Sequence, residues 1–179
     1  NAWSDALGWG KIVLDALALI LLPSHYPKLL VLEVGADRPG DLRRILDIAV
    51  PDAVVVTFLP DIPVHVEAYA SAHAVHEEEF TPAYMLAHGA PLVINADDEN
   101  AKRLAARLSA PVTTFGFADG ADVRLLDAEP FMEEDRLAGM HSTVRVHGKP
   151  YELFARGALG RPQMYASAAA FACALALGL

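Results

Sequence analysis

Lys28-Leu-Leu-Val-Leu-Glu33-Val-Gly-Ala-Asp-Arg-Pro-Gly-Asp-Leu42 is an apolar run that reaches a carboxylate, turns through glycine and enters a helix. Leu29 to Leu32 has the length of a fully buried strand, and Gly35, Pro39 and Gly40 are the punctuation expected where a strand stops. This reading places Glu33 at a strand's carboxyl end, the edge of an open α/β sheet where ligands bind. A carboxylate there suits Mg²⁺ or the orientation of a substrate, and the plainer alternative is a solvated acid on a loop.

Upstream, Ser4-Asp5 caps a turn before an apolar helix over Lys11 to Leu22, which Pro23 and Pro27 end. Downstream, Leu42 to Ala49 reads as a helix with Leu42, Ile45, Leu46 and Ile48 mostly on one face. Asp52 to Leu59 follows as a strand whose Ala-Val-Val-Val core is the β-branched type found in parallel sheets buried on both faces. After the two-proline loop at 60–63, a long helical stretch runs from Val64 to Ala87, weakened at Thr81-Pro82, where Pro82 starts a second helix. Strands at 91–95 and 112–117 then flank a helix that starts at Asp97-Asp98-Glu99 and runs through Leu108.

This alternation predicts an α/β fold: a mainly parallel sheet, with strands near 29–34, 53–58, 91–95 and 112–117, flanked by helices. From Ala121 the texture changes. Strands near 123–126, 143–147 and 151–155, with a turn at Gly148-Lys149, predict a small antiparallel sheet within 121–156. Gln163 to Leu177 reads as an alanine-rich helix suited to close packing. The length of 179 residues fits one domain, 1–179.

The balance of 14 Lys+Arg against 23 Asp+Glu, net −9, with no basic cluster, argues against nucleic acid or an anionic membrane surface as a partner. The longest apolar stretches fall short of the roughly 20 residues that span a bilayer, so no membrane insertion is expected. Cys173, in an apolar segment, reads as a buried thiol in a reducing compartment. No signal-peptide pattern opens the sequence, and a cytoplasmic location is expected.

In order, Ser4 to Gly8, Leu30-Val-Leu-Glu-Val-Gly-Ala36 with Pro39-Gly40, Pro51-Asp-Ala-Val-Val-Val-Thr57, His65, Val93-Ile-Asn-Ala-Asp-Asp98, and Gly160-Arg161 before the final helix resemble the middle domain of the Mur ligases. These are the ATP-dependent amide-forming enzymes of peptidoglycan synthesis, and the likeness is greatest to the branch that adds D-alanyl-D-alanine to UDP-N-acetylmuramoyl-tripeptide. The resemblance covers most of the chain. It implies a P-loop-type fold lacking the P-loop segment, Mg²⁺ and ATP as cofactors, and a UDP-muramoyl-peptide-type substrate. In such ligases Mg²⁺ neutralises ATP while the γ-phosphate passes to a substrate carboxylate, and an amine attacks the resulting acyl phosphate.

By the same resemblance Glu33 and His65 are metal-site residues, Glu77 falls where the family has a carbamylated lysine, and Gln163 lies in the stretch that helps hold adenine. The departures are equally specific. The phosphate-binding Gly-x-x-Gly-Lys-Thr loop, expected upstream of Ser4, is missing, and neither Lys11 nor Lys28 follows a glycine-rich strand-to-helix turn. The family's Gly-x-His-Asn-x-x-Asn reads Gly160-Arg161-Pro162-Gln163-Met164-Tyr165-Ala166. Two functions follow: a fragment or divergent member of such a ligase, not turning over alone, or a non-catalytic module that binds a cell-wall precursor or partner protein. Without the phosphate-loop strand a sheet edge is exposed, so a second copy in a homodimer or an N-terminal segment is expected across it.

Three other clusters have plain readings. His73-x-x-His76-Glu77 places three possible metal ligands on adjacent helical turns but reads first as a solvated helix face. Asp97-Asp98 reads as an acidic helix start, and Glu133-Glu134-Asp135 as a solvated turn.

Overall fold

A computed structural model of the chain describes residues 6–22 and 28–179. They fall into two compact units, Asn1–Val34 and Gly35–Leu179. In the first, α1 spans Ala6–Leu21 and carries exposed leucine, isoleucine and valine side chains. The expected Ser4-Asp5 cap and the prolines at 23 and 27 lie outside the described residues. Lys28 to Val34 is exposed and forms no strand, which corrects the expectation for this segment. An apolar run is only compatible with a strand, whereas the strand itself exists through a hydrogen-bonded ladder, and among the described residues no ladder includes this segment.

The second unit opens with α2 (Asp41–Leu46), whose Leu42 and Leu46 close a small cluster with Ala36 and Met85. Then come β1 (Val54–Val56), a 3₁₀ turn at Val66–Ala68, α3 (Ala72–Glu79), α4 (Thr81–Tyr84), β2 (Leu92–Asn95), α5 (Glu99–Ala105) and β3 (Val112–Gly116). The second helix expected from Pro82 is α4, while the stretch expected to be helical from Val64 up to it divides into the 3₁₀ turn and α3. The Ser71 hydroxyl accepts from Ala74 N–H at 3.2 Å to start α3, and Pro82 sits in the first turn of α4, where its missing N–H costs nothing.

β1, β2 and β3 pair in parallel, and β4 (Val123–Leu125) continues the parallel set on the far edge of β3. The expectation of an antiparallel strand at 123–126 is therefore half right: β4 is parallel to β3 and antiparallel to the next strand. The connection is short because Asp122 folds it back. Its carboxylate accepts from the Thr114 N–H and hydroxyl at 2.8 and 2.7 Å.

β5 (Glu129–Glu133), β6 (Arg136–Val146) and β7 (Lys149–Arg156) complete the seven-stranded sheet. β6 pairs with β5 over its first half and β4 over its last residues, while β7 runs along its other side. The β6–β7 turn uses His147 at φ 48° and Gly148 at φ 79°, the left-handed pair that a tight hairpin requires.

The parallel part of the sheet is buried on both faces, as the period-two alternation along β2 shows. Val93 joins Phe115, Val123, Val144 and the small-residue face of α6 (Arg161–Ala176), which contributes Met164, Ala168, Ala169 and Ala172. Leu92 and Ile94 point the other way, toward Val54 and Val56 of β1, Phe80 between α3 and α4, and Leu104 of α5. Among the described residues no helix is long and apolar enough to cross a membrane.

Candidate functional site

The carboxyl ends of β1 and β2 are joined by buried side chains rather than by ladder. Asp98 caps α5 by accepting from Asn100 and Ala101 N–H at 2.9 and 3.0 Å, and its other oxygen accepts from Leu59 N–H. Asn100 donates to the Leu59 carbonyl at 2.9 Å and to Asp61 at 3.1 Å, and Asn95 donates to the Thr57 carbonyl at 3.1 Å. From this anchored segment the chain passes Pro60 and a buried Pro63 to His65, which adopts the left-handed conformation (φ 61°, ψ 22°) at the start of the 3₁₀ turn. Such a conformation is uncommon for a side chain with a Cβ and clusters at functional sites.

His65 faces a cleft of about 560 Å³ lined by Asp37, Arg38, Asp41, Arg44, Glu67 and Ala68. Its Nε2 lies 3.5 Å from Asp37 and its Nδ1 3.7 Å from Glu67. Burial, then the charges of Glu78, Asp41, Glu79 and Asp37, push the nearby Tyr69 phenol above its ordinary range, a sign of negative potential here. Among the described residues no three His, Cys, Asp or Glu side chains are already grouped to hold a metal.

A second polar centre closes the β2–β3 end of the sheet. Asp97 accepts from Phe117 N–H, Ala118 N–H and the Tyr165 hydroxyl at 2.7, 2.6 and 2.7 Å. Gly116 leaves room for that carboxylate, since a Cβ there would meet an Asp97 oxygen at 2.7 Å. The Arg161 guanidinium lies 4.2 Å from the centroid of the Phe117 ring, and the Tyr165 ring meets Phe117 edge-on at 5.2 Å. Burial, and then the hydrogen bond and charge of Asp97, push the Tyr165 phenol up to about 12 against the opposing Arg161. Asp97 is therefore a tie between β2, β3 and α6, not merely part of a helix start.

The Mur ligase middle domain family matches residues 15–174. The chain belongs to the Mur ligase family. The UDP-N-acetylmuramate–L-alanine ligase of Streptomyces coelicolor is 36% identical over 118 residues, covering 64% of this chain and 24% of that protein. The crystal structure of the MurF ligase from Thermotoga maritima in complex with ADP matches with a TM-score of 0.71 at 23% identity, over 86% of this chain and 34% of that one. MurF from Acinetobacter baumannii matches with a TM-score of 0.69 at 16% identity, over 83% of this chain and 31% of its own. The fold is that of a Mur ligase domain, and the chain spans a quarter to a third of the length of these relatives.

Against that family, the four residues singled out from the sequence are placed as follows. Glu33 is exposed in the irregular stretch before Gly35, with no strand to end. His65 lines the acidic cleft. Glu77 is not among the lining residues of that cleft. Its carboxylate receives Arg107, the Tyr84 hydroxyl at 2.6 Å and His73 at 3.3 Å. Burial raises the Glu77 pKa, but the hydrogen bonds from Tyr84 and Arg107 and the Arg107 and His73 charges outweigh it and hold the carboxyl below its ordinary value. Gln163 is exposed in the first turn of α6, its carbonyl accepting from Ser167 at 2.8 Å.

The His73-x-x-His76-Glu77 cluster splits. His73 is exposed, while His76 is 3% exposed with Nε2 2.8 Å from the Pro60 carbonyl, so the reading of one solvated face is corrected for His76. Sequence reasoning also passed over Asp37 and Glu67. The only signal for them is their closeness in the chain to Gly35 and His65.

Proposed function

We propose that this chain supplies the middle-domain part of an ATP-dependent amide-forming ligase acting on a UDP-muramoyl-peptide-type precursor of peptidoglycan, in the cytoplasm. The observation that carries this reading is the cleft around His65, at the end of the β1 connection, where Asp37, Asp41 and Glu67 gather hard oxygen donors. Mg²⁺ needs only one or two carboxylates and keeps several of its waters, so this donor set suits it without a closed protein cage. Glu33 and His65 are the residues the family likeness assigns to that ion, and Asp37 and Glu67 lie beside His65. When bound, it would supply charge neutralisation to a transferring phosphoryl group. For Glu77 to take the place of a carbamylated lysine it would first have to release Arg107 or His73.

The residues do not suit ATP equally well. A nucleotide's phosphates need a cradle of backbone N–H groups, and Gly8, Gly10 and Lys11 are instead inside α1, where Lys11 pairs with Asp15. Arg161, Pro162 and Ala166 stand in the stretch that the likeness links to adenine, leaving Gln163 as its one amide. Calorimetric titration of the chain with Mg-ATP is expected to give no affinity tighter than about millimolar, about −4 kcal/mol. A micromolar dissociation constant would show a nucleotide site that this reading lacks. In the gene product that carries this chain, Glu33→Ala and His65→Ala are each expected to lower ligase turnover by about a hundredfold. Two variants with wild-type turnover would favour the binding-module reading.

A further inference from the structure

Five polar or charged side chains are buried among the described residues: His76, Asn95, Asp98, Asn100 and Ser142. Ser142 serves the β6 region, bonding to the Asp127 carbonyl. The other four, 3%, 4%, 3% and 9% exposed, all converge on Thr57 to Asp61, a stretch with no regular structure. Asn95 holds the Thr57 carbonyl, Asp98 the Leu59 N–H, Asn100 the Leu59 carbonyl with the Asp61 side chain, and His76 the Pro60 carbonyl. A carbonyl only accepts, so His76 Nε2 carries its hydrogen toward Pro60. Nδ1, also buried, has no partner among the described residues.

Burying polar side chains is costly unless each is bonded, and a sheet connection at a surface ordinarily satisfies its backbone with water. Four buried side chains spent on one five-residue connection mean that its position is fixed by the interior of the domain. Pro60 within the connection and Pro63 just after it limit φ on the way to His65, and Pro63 is itself buried. We infer that His76 and Asn100 are positioning residues for His65: with Asn95 and Asp98 they clamp the 57–61 connection so that the left-handed His65 is presented to its cleft without reorganisation. The inference rests on His65 being a site residue, but its geometric part does not require a metal.

The 3₁₀ turn carries its own reporters, since Ala68 N–H bonds to the His65 carbonyl and Tyr69 N–H to the Val66 carbonyl, each at 3.0 Å. Hydrogen exchange of the full chain is the test. His76→Phe fills the ring's space but leaves Pro60 without a donor, and Asn100→Asp sets an acceptor against the Leu59 carbonyl and Asp61. Both variants are expected to speed exchange at Ala68 and Tyr69 by about tenfold relative to Val93 and Ile94 in β2. His76→Gln, whose amide nitrogen reaches the Nε2 position, is expected to stay within about twofold of wild type.

Mn²⁺ titration, read by paramagnetic broadening of the His65 ring signals, should weaken in the first two variants and recover in His76→Gln. Equal acceleration at residues 68, 69, 93 and 94 would make the clamp general core support, and unchanged exchange at 68 and 69 would remove its positioning role. If wild-type His65 is not broadened by Mn²⁺, the metal reading of His65 fails, while the exchange comparison still decides the clamp.

Discussion

A carboxylate that three donors reach at once is held by its surroundings, and Glu77 is that carboxylate, tying α3 to Tyr84 at the end of α4 and to Arg107 just beyond α5. Its pKa is lower in the folded chain than the ordinary glutamate value of about 4.5, so between those values the unfolded chain binds more protons. The stability it contributes is therefore present above about pH 4.5 and lost as pH falls through the lower folded value. Glu77→Gln should unfold at lower urea than wild type at pH 7, and the gap should narrow as pH falls below about 4.5. A gap that does not narrow on acidification would mean that shape rather than charge is lost. Tyr165 titrates in the opposite sense. With its phenol pushed up to about 12 by burial and Asp97, its contribution is complete below about pH 10 and lost as pH rises toward 12. Tyr165→Phe should flatten the alkaline decline in stability between those values, and an unchanged decline would assign it to other groups. At this scale the sequence was least informative. Glu77 and His76 are adjacent in a helix, yet one is a surface hub and the other a buried clamp, because His76 shares the inner face of α3 with Val75 and Glu77 lies one residue further round the helix.

At the scale of elements, the parallel strands were readable because Val54–Val56, Leu92–Asn95 and Val112–Gly116 are short apolar or β-branched runs between turn residues, and both faces of the sheet are covered. Lys28 to Val34 has the same composition and forms no strand, since composition cannot supply a pairing partner. β5 was missed for the opposite reason. Glu-Pro-Phe-Met-Glu is a poor strand sequence, but it lies along the outer side of β6, where a proline is tolerated, with a bulge at Phe131/Met132. The β6–β7 pairing depends on Gly139, at φ 156°, where a Cβ would lie 2.1 Å from the Ala155 carbonyl oxygen. Gly139→Ala should cost about 3 kcal/mol in urea unfolding, and a cost below about 1 kcal/mol would show that β7 can shift to accept it. α6 makes a matching demand on the other side of the ladder, where Ala168 and Ala172 are fully buried against the sheet. Ala172→Leu should destabilise by about 1–3 kcal/mol through overpacking, whereas the exposed Ala170→Leu should be nearly neutral.

For the whole molecule, two opposing surface terms set its behaviour in solution. The chain carries a net charge of −9, which repels a second copy. Against this, Ile12, Leu14, Leu17 and Ile20 of α1 and Leu29 to Leu32 are each more than 45% exposed, far more apolar surface than scattered surface leucines supply. Repulsion between charges is screened over about 10 Å at 0.1 M salt and about 3 Å at 1 M, while burial of apolar surface is not weakened by simple salts in the same way. Self-association should therefore strengthen as salt is added. Sedimentation velocity at 0.1 M and 1 M sodium chloride is expected to show the weight-average mass rising above the 19.2 kDa chain mass with salt. Replacing Leu14, Ile20 and Val31 together by serine should return it toward the monomer at both concentrations. A wild-type chain that stays monomeric at 1 M salt would show that these side chains are covered within one copy. Association that weakens with salt would instead place charge pairs, not the apolar residues of α1, at the contact.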